Sequence, residues 1–163
     1  LTVPEPNTWV DVVSTLDACR PVKGLRVAVQ EYGLPSRDLL NALKQRGANV
    51  VPVTVYRWAL PEDTSPLTQV LNQILAGQVQ VLVITNAAQI DHVMQVVEQE
   101  GTTAHFKTIC RQLVIASIGP TASERIRSHG LPVDFEPSHG KMGILVKEAS
   151  EQAHRLLKTK QLS

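Results

Sequence analysis

Short β-branched runs alternate with amphipathic helices along most of this 163-residue chain, and this alternation constrains the fold more than any other feature. The runs at 79–85 and 113–118 are almost entirely apolar, which is typical of strands covered on both faces of a sheet. Further short strands are predicted at 25–30, 50–56 and 132–135. Parallel strands need crossover helices, so the pattern predicts a soluble α/β protein.

The simplest closure of this order is a flavodoxin-like, doubly wound parallel sheet of about five strands. Ser36 and Thr121 stand at predicted helix starts, and Thr121 and Glu124 have the spacing of a capping box. Pro52 indicates a strand edge or a bulge, because proline cannot donate to the ladder. The chain divides into an N-terminal helical segment, a β-α-β unit, a linker and the remaining α/β units, at 1–24, 25–56, 57–66 and 67–163.

Charge and composition exclude several classes of function. The net charge is +1 and aromatic residues make up 4% of the chain, which argues against a surface for DNA, an anionic membrane or single-stranded nucleic acid. The apolar runs are too short to span a bilayer and the start does not resemble a signal peptide, so a cytoplasmic location is expected. Leu1 in place of Met suggests a fragment, a processed chain or a trimmed one. Cys19 and Cys110 lie far apart and are interpreted as buried or partly buried thiols.

No conventional catalytic or metal-binding motif is present in the sequence. The histidines are scattered without the spacing of a zinc site, and each is interpreted as a surface residue. Neither common glycine-rich phosphate loop occurs, and no GxSxG elbow marks a serine nucleophile. The sequence therefore predicts no metal site.

The loops that follow predicted strands are the remaining candidates, because open α/β sheets bind ligands at the carboxyl ends of their strands. These loops lie at 31–33, 85–89 and 119–123, and each leads into a helix whose first amides suit a carboxylate or a phosphate. The alternative is that Ser36 and Thr121 only cap their helices. Periodicity alone does not separate the two.

At these loops the sequence resembles the uroporphyrinogen-III synthase family. The strand ending in Thr85-Asn86 and the turn Gly119-Pro120-Thr121-Ala122 before Gly130 are similar to stretches of that family. Three more stretches agree with it in the same order, at 27–33, 47–57 and 138–143. The motifs cover 25–142, which corresponds to the second half of such an enzyme.

The resemblance implies two flavodoxin-like domains between which the chain crosses twice. Residues 25–56 would complete one domain, 57–66 would be the crossing, and the following chain would complete the other. The chain by itself either forms one five-stranded sheet, which is the arrangement expected here, or exchanges its β-α-β unit with a second copy in a swapped homodimer. Association with the missing N-terminal half is the remaining expectation.

The resemblance also implies a reaction: the cyclisation of hydroxymethylbilane, a linear tetrapyrrole, to uroporphyrinogen III with loss of water and inversion of ring D. The family uses no metal and no organic cofactor. Tyr56 would assist departure of the hydroxyl, and the chain alone is expected to be inactive. The implied substrate-binding residues follow the two strand ends: Thr85, Asn86, Ala87, Gly119, Pro120, Thr121 and Ala122.

Asn86 departs from the serine that is common in the family, which places carboxylate binding at this loop in question. A second interpretation therefore stays open: a non-catalytic domain that senses a tetrapyrrole or another small ligand for a regulatory protein. A third is a flavodoxin-like binder of phosphate or a nucleotide.

Overall fold

The chain folds into two compact units, Leu1–Ala59 and Leu60–Ser163. The computed structural model describes residues 2–31, 33 and 35–161. The division between the units falls inside the predicted linker at 57–66, while the crossing between domains assigned to that linker stays a prediction. Among the described residues, no helix has both the length and the hydrophobicity needed to cross a membrane.

The first unit contains one β-α-β crossover preceded by a helix. Its elements are α1 (Trp9–Cys19), β1 (Arg26–Glu31), α2 (Arg37–Gln45) and β2 (Asn49–Thr54). The two strands are parallel, and their register runs from Arg26 opposite Asn49 to Glu31 opposite Thr54. The face of β1 that carries Val27, Val29 and Glu31 is the more buried one. On the opposite face Val51 and Val53 of β2 stay 48% and 39% exposed.

The second unit contains most of the core. Its elements are α3 (Ser65–Leu75), β3 (Val81–Ile84), α4 (Ala87–Gln99), α5 (Thr103–Cys110), β4 (Val114–Ser117), α6 (Pro120–Ser128) and α7 (Met142–Gln161). β3 and β4 are parallel, with Ile84 opposite Ser117. Every residue of β4 is buried, as its continuous apolar sequence predicts. Phe106, Ile90 and Ile126 lie fully buried in the same hydrophobic cluster.

A short segment at 132–135 runs parallel to β4 on its open edge. Ala116 and Phe135 form an isolated parallel bridge, and Ser117 N–H donates to the Phe135 carbonyl at 2.9 Å. The Asp134 carboxylate accepts from Ile115 N–H at 2.8 Å. Lys160 of α7 reaches the same carboxylate at 2.7 Å, which fixes the end of the last helix against this edge.

The mixed α/β class is confirmed, but the five-stranded sheet is not. The described strands form two parallel pairs, β1–β2 and β3–β4, and no ladder joins the pairs. Each strand pairs with the next one along the chain, a choice of partner that hydrophobic periodicity does not encode. The strand expected at 132–135 is reduced to one bridge. Pro132 has no N–H to donate, and Ile115 N–H donates to the Asp134 side chain and not to a backbone carbonyl of this segment.

Three local expectations also need correction. The Ser36 side chain makes no capping hydrogen bond to α2. α6 begins at Pro120 with Gly119 as its N-cap, so Thr121 lies inside the first turn and is not the cap. Proline suits the first helical position because its φ is fixed and its missing N–H has no partner there in any case. Cys19 is exposed, whereas Cys110 is buried as expected.

Candidate functional site

Two of the predicted ligand loops lie side by side in the second unit, because β3 and β4 are parallel and in register. Ile118 N–H donates to the Ile84 carbonyl at 2.9 Å, which continues the ladder from the last residue of β3 to the first residue beyond β4. The loop before α4 and the loop before α6 therefore leave the sheet at the same edge. Thr85, Asn86, Ala87, Gly119, Pro120, Thr121 and Ala122 all lie on these two loops and the helix starts that follow them.

The loop after β3 is held by side chains that bond to its own backbone. Asn86 is the N-cap of α4, and its Oδ1 accepts from Ala88 N–H at 2.8 Å. Gln89 Oε1 accepts from Thr85 N–H at 2.9 Å and from the Thr85 hydroxyl at 3.3 Å. Because the Asn86 side-chain oxygen already accepts from Ala88 N–H, the side-chain NH₂ is the part of Asn86 that can bind a ligand.

The loop after β4 presents an open helix start. Pro120 carries no N–H, and Gly119 caps α6 without a side chain, so the first-turn amides of Thr121 and Ala122 have no intrahelical acceptor. Thr121 is exposed and its hydroxyl adds a donor at the same place. Ser117 is fully buried beneath the turn, and its hydroxyl donates to the Gly119 carbonyl at 3.2 Å.

A third loop, at 136–141, reaches the same edge because the segment before it bridges β4 in parallel. A Cβ placed on Gly140 would lie 3.4 Å from the Ile118 carbonyl oxygen, so this loop passes close to the end of β4. His139 and Lys141 are the basic residues of this loop, which also carries Glu136. We call residues 85–87, 118–122 and 136–141 together the three-loop edge.

Helix α7 anchors the third loop through one carboxylate. Glu148 accepts from the Ser138 hydroxyl at 2.6 Å and from Ser138 N–H at 3.0 Å. These hydrogen bonds hold the pKa of the Glu148 carboxyl below its ordinary value. His139 Nδ1 lies 3.2 Å from the same Ser138 hydroxyl.

Sequence reasoning noticed this third loop but did not assign it to the site. Its signal was the short predicted strand at 132–135, followed by a turn and a helix. The other two loops likewise follow a predicted strand and precede a helix. Only the parallel bridge between Ala116 and Phe135 shows that all three reach one edge.

Tyr56 lies in the first unit, two residues beyond the end of β2. Its ring meets that of Trp58 edge to face, with centroids 6.1 Å apart and planes at 78°. The structure thus gathers seven predicted site residues in the second unit and gives Tyr56 an aromatic neighbour in the first. Glu31, at the end of β1, is 5% exposed and accepts from the Thr54 hydroxyl at 2.8 Å.

The chemistry available at the three-loop edge is hydrogen bonding by hydroxyls, amides and helix starts, together with one imidazole, one ammonium group and the Glu136 carboxylate, which pairs with Arg127. Within the described ranges, no group of three or more His, Cys, Asp or Glu residues could hold a metal ion. Such an arrangement suits a ligand rich in carboxylates, since helix N-termini and cationic side chains both attract negative charge.

These features define an α/β protein with a candidate ligand-binding edge built from backbone amides and hydroxyls. A family model, described as "Uroporphyrinogen-III synthase HemD", matches residues 1–147. The chain belongs to the uroporphyrinogen-III synthase family, whose enzymes are lyases of tetrapyrrole biosynthesis.

Two curated relatives match about four-fifths of the chain. The "Putative uroporphyrinogen-III synthase" of Methanothermobacter thermautotrophicus is 24% identical over 129 residues, which are 79% of this chain and 50% of that protein. The Bacillus subtilis protein named "Uncharacterized protein YjjA" is 23% identical over 129 residues, or 78% of this chain and 47% of that protein. The chain thus spans about half the length of the curated relatives it matches.

Solved structures of the uroporphyrinogen III synthase from Thermus thermophilus share the fold. The wild-type enzyme is 23% identical, with a TM-score of 0.54 over 96% of this chain and 56% of the other. A mutant form of that enzyme is 22% identical, with a TM-score of 0.62 over 88% of this chain and 55% of the other.

Proposed function

We propose that this chain is the C-terminal portion of a uroporphyrinogen-III synthase, which cyclises hydroxymethylbilane to uroporphyrinogen III with loss of water and inversion of ring D. The observation that carries the proposal is the three-loop edge, where two helix starts converge with the loop that carries Lys141. A substrate with eight carboxylates needs many weak, correctly placed donors, and this edge supplies them without a nucleophile.

In this proposal the acetate and propionate groups bind to the loops of the second unit. Asn86 contributes its side-chain NH₂ before α4, on the loop that Thr85 and Gln89 hold in place, while Thr121 contributes its hydroxyl together with the first amides of α6. Ala87, Gly119, Pro120 and Ala122 shape the backbone that the carboxylates approach. Lys141 of the third loop adds a positive charge that stabilises the bound anion.

Tyr56 is the proposed catalytic residue. A phenol can donate a proton to the hydroxyl that leaves hydroxymethylbilane, and proton donation by a placed side chain contributes typically 10²–10⁴-fold to a rate. Tyr56→Phe should therefore lower kcat by at least about 10²-fold, with little change in product affinity. Thr121→Ala should instead weaken tetrapyrrole binding.

Completion of the enzyme requires more chain than is present here, since the relatives are about twice as long. We propose that this chain acts with the N-terminal half of the enzyme, either in one polypeptide or by association. A swapped homodimer is the second arrangement. Light scattering distinguishes a dimer from a monomer, and addition of an N-terminal half tests the heterologous complex.

A second candidate function is a tetrapyrrole-sensing domain without catalysis. It is favoured by Asn86, whose oxygen caps α4 and so fills one amide site that a substrate carboxylate would use. The decisive experiment gives hydroxymethylbilane to the full parent protein and separates uroporphyrinogen III from the isomer with an uninverted ring D by chromatography. Formation of uroporphyrinogen III supports the synthase. Tight tetrapyrrole binding without turnover supports the sensor and contradicts the synthase.

A further inference from the structure

The first unit contains a buried acidic group that the proposed reaction does not use. Glu31 ends β1 and is 5% exposed, and Thr54 directly opposite it on β2 donates its hydroxyl to Glu31 Oε2 at 2.8 Å. No side chain or amide in the described part of the chain donates to Oε1. Among those residues only the Ser123 hydroxyl is both fully buried and without a partner. Glu31 Oε1 therefore keeps contact with solvent and can accept from a ligand.

An aromatic pair lies at the same end of this sheet. Tyr56 and Trp58 are 39% and 40% exposed, so part of each residue faces solvent. The Trp58 indole packs directly on Gly33, where an added Cβ would lie 2.0 Å from its Cδ1 atom. Gly33 follows Glu31 by two residues, so the indole contacts the backbone segment that follows Glu31. The contact with Gly33 also fixes where the indole can lie.

A carboxylate at the same end of the sheet as two aromatic residues selects a particular ligand chemistry. A carboxylate accepts hydrogen bonds and donates none, and it repels other carboxylates. The aromatic rings favour a flat partner that stacks or packs edge to face. The two features together fit a planar ring that carries an N–H.

We propose that Glu31, Tyr56 and Trp58 form a subsite for a pyrrole ring, in which the ring N–H donates to Glu31 Oε1. This inference rests on the proposed function, because the rings of hydroxymethylbilane are pyrroles whose N–H groups point away from their acidic side chains. Thr54 is a positioning residue: its hydroxyl holds one Glu31 oxygen and leaves the other to the ligand. The acid at this subsite excludes a propionate or acetate group from the same place.

The test uses the ¹⁵N-labelled chain and two probes that differ only at the ring nitrogen, pyrrole and N-methylpyrrole. Titration at millimolar concentration should shift the Gly33 amide and the Trp58 indole N–H signals, the latter assigned with Trp9→Phe. Pyrrole should bind about tenfold more tightly than N-methylpyrrole, which lacks the donor. Equal binding of the two probes, or no binding of either, would overturn the proposal.

Variants then assign the effect to the acid. Glu31→Gln should lower pyrrole affinity about tenfold and remove the difference between the probes, whereas Glu5→Gln, a change at an exposed acid of the same unit, should leave both unchanged. Thr54→Val should weaken pyrrole binding several-fold and Thr54→Ser should restore it. Retained discrimination in Glu31→Gln, or tighter binding of methylammonium than of pyrrole, would contradict the assignment.

Uroporphyrinogen III, kept reduced without oxygen, separates this inference from the proposed function. If the chain discriminates pyrrole from N-methylpyrrole but the full parent protein does not convert hydroxymethylbilane to uroporphyrinogen III, the subsite stands and the proposed function fails. If uroporphyrinogen III binds equally to the wild-type chain and to Glu31→Gln, the proposed function stands and the subsite is wrong.

Discussion

The two units are built from the same β-α-β pattern, yet they cover their strands very differently. In the second unit every residue of β4 is buried. In the first unit β2 leaves Val51 and Val53 half-exposed, and Val55 beyond its end is 55% exposed. Parallel sheets are normally covered on both faces, and the apolar face of β2 is more exposed than the strands of the second unit, where Val83 of β3 is 36% exposed. The same β-α-β pattern thus gives a fully buried strand in the second unit and a strand with an exposed apolar face in the first.

The largest contrast should appear in thiol reactivity. Cys19 ends α1 of the first unit and is exposed, whereas Cys110 is buried and burial raises the pKa of its thiol to about 12. Since the thiolate is the reactive form, a disulfide reagent at pH 8 should label Cys19 at least about 10³-fold faster than Cys110. Denaturant should then expose the Cys110 thiol to the reagent. Equal rates in the native chain would contradict the difference in burial.

The next largest difference between the units should appear in the stability cost of truncating an apolar side chain. Phe106→Ala removes a fully buried ring from the second unit and should lower the free energy of unfolding by about 3–5 kcal/mol. Val51→Ala on the open face of the first unit should cost less than about 1 kcal/mol. Urea denaturation followed by far-UV circular dichroism measures both. A cost at Val51 close to that at Phe106 would mean that its face is covered.

A glycine substitution tests the aromatic pair of the first unit. Gly33 has φ +72° and packs on the Trp58 indole, so Gly33→Ala should cost about 2 kcal/mol and displace that ring. Gly24 has φ +75° and no atom within 4 Å of an added Cβ, so Gly24→Ala measures the backbone cost alone, about 1 kcal/mol. Both tryptophans lie in this unit, and fluorescence in a Trp9→Phe background reports on Trp58. Identical spectra for the two variants would contradict the packing.

Thr121 provides a test at the three-loop edge that should not affect the fold. Its side chain is exposed and does not cap α6, so Thr121→Ala should leave the free energy of unfolding within about 0.5 kcal/mol of the wild type. Uroporphyrinogen III affinity should fall about tenfold, measured by calorimetry under anaerobic conditions. Glu124→Ala, an exposed change on the next turn of the same helix, is the matched control. A tetrapyrrole affinity that is unchanged in Thr121→Ala would remove this residue from the site.

The smallest effect concerns pH. The hydrogen bonds from Ser138 hold the pKa of Glu148 below its ordinary value of 4.5. The contact therefore stabilises the loop fully at pH values above 4.5, and this stabilisation is lost as the pH falls through the lowered pKa of the folded state. Ser138→Ala should raise the pKa of Glu148 toward that ordinary value. Carboxyl ¹³C NMR titration measures the change, and Ser150→Ala, which removes a serine hydroxyl bonded only to the Lys147 carbonyl, is the control. A titration of Glu148 that is the same with and without Ser138 would contradict the anchor.

Much of the local structure could be predicted from the sequence, because it depends on neighbours along the chain. The apolar run at 113–118 predicted a buried strand, and β4 occupies its centre. The two loops that hold the predicted substrate-binding residues were identified by the same means, as breaks between a strand and a helix. The predicted helix starts were less accurate. The Thr121–Glu124 spacing predicted Thr121 as the N-cap of α6, whereas the helix begins at Pro120 with Gly119 as its N-cap.

The pairing of strands and the meeting of distant loops could not be predicted in this way. Hydrophobic periodicity shows that a segment is a strand but not which strand lies beside it, so one five-stranded sheet and two separate pairs have the same sequence pattern. The partial exposure of Val53 has the same origin, because a β-branched residue in a strand is compatible with either a covered or an open face. The Glu31–Thr54 contact arises from register alone, across 23 residues of chain.

The sequence by itself determined the α/β class, the approximate place of each strand and helix, and the absence of the common catalytic motifs. These depend on residue type and spacing, which act over a few residues. Tertiary structure alone decided that the chain forms two units, that three loops share one edge, and that Glu31 is buried with one oxygen held. Those features depend on which surfaces pack together, and packing is a property of the whole fold.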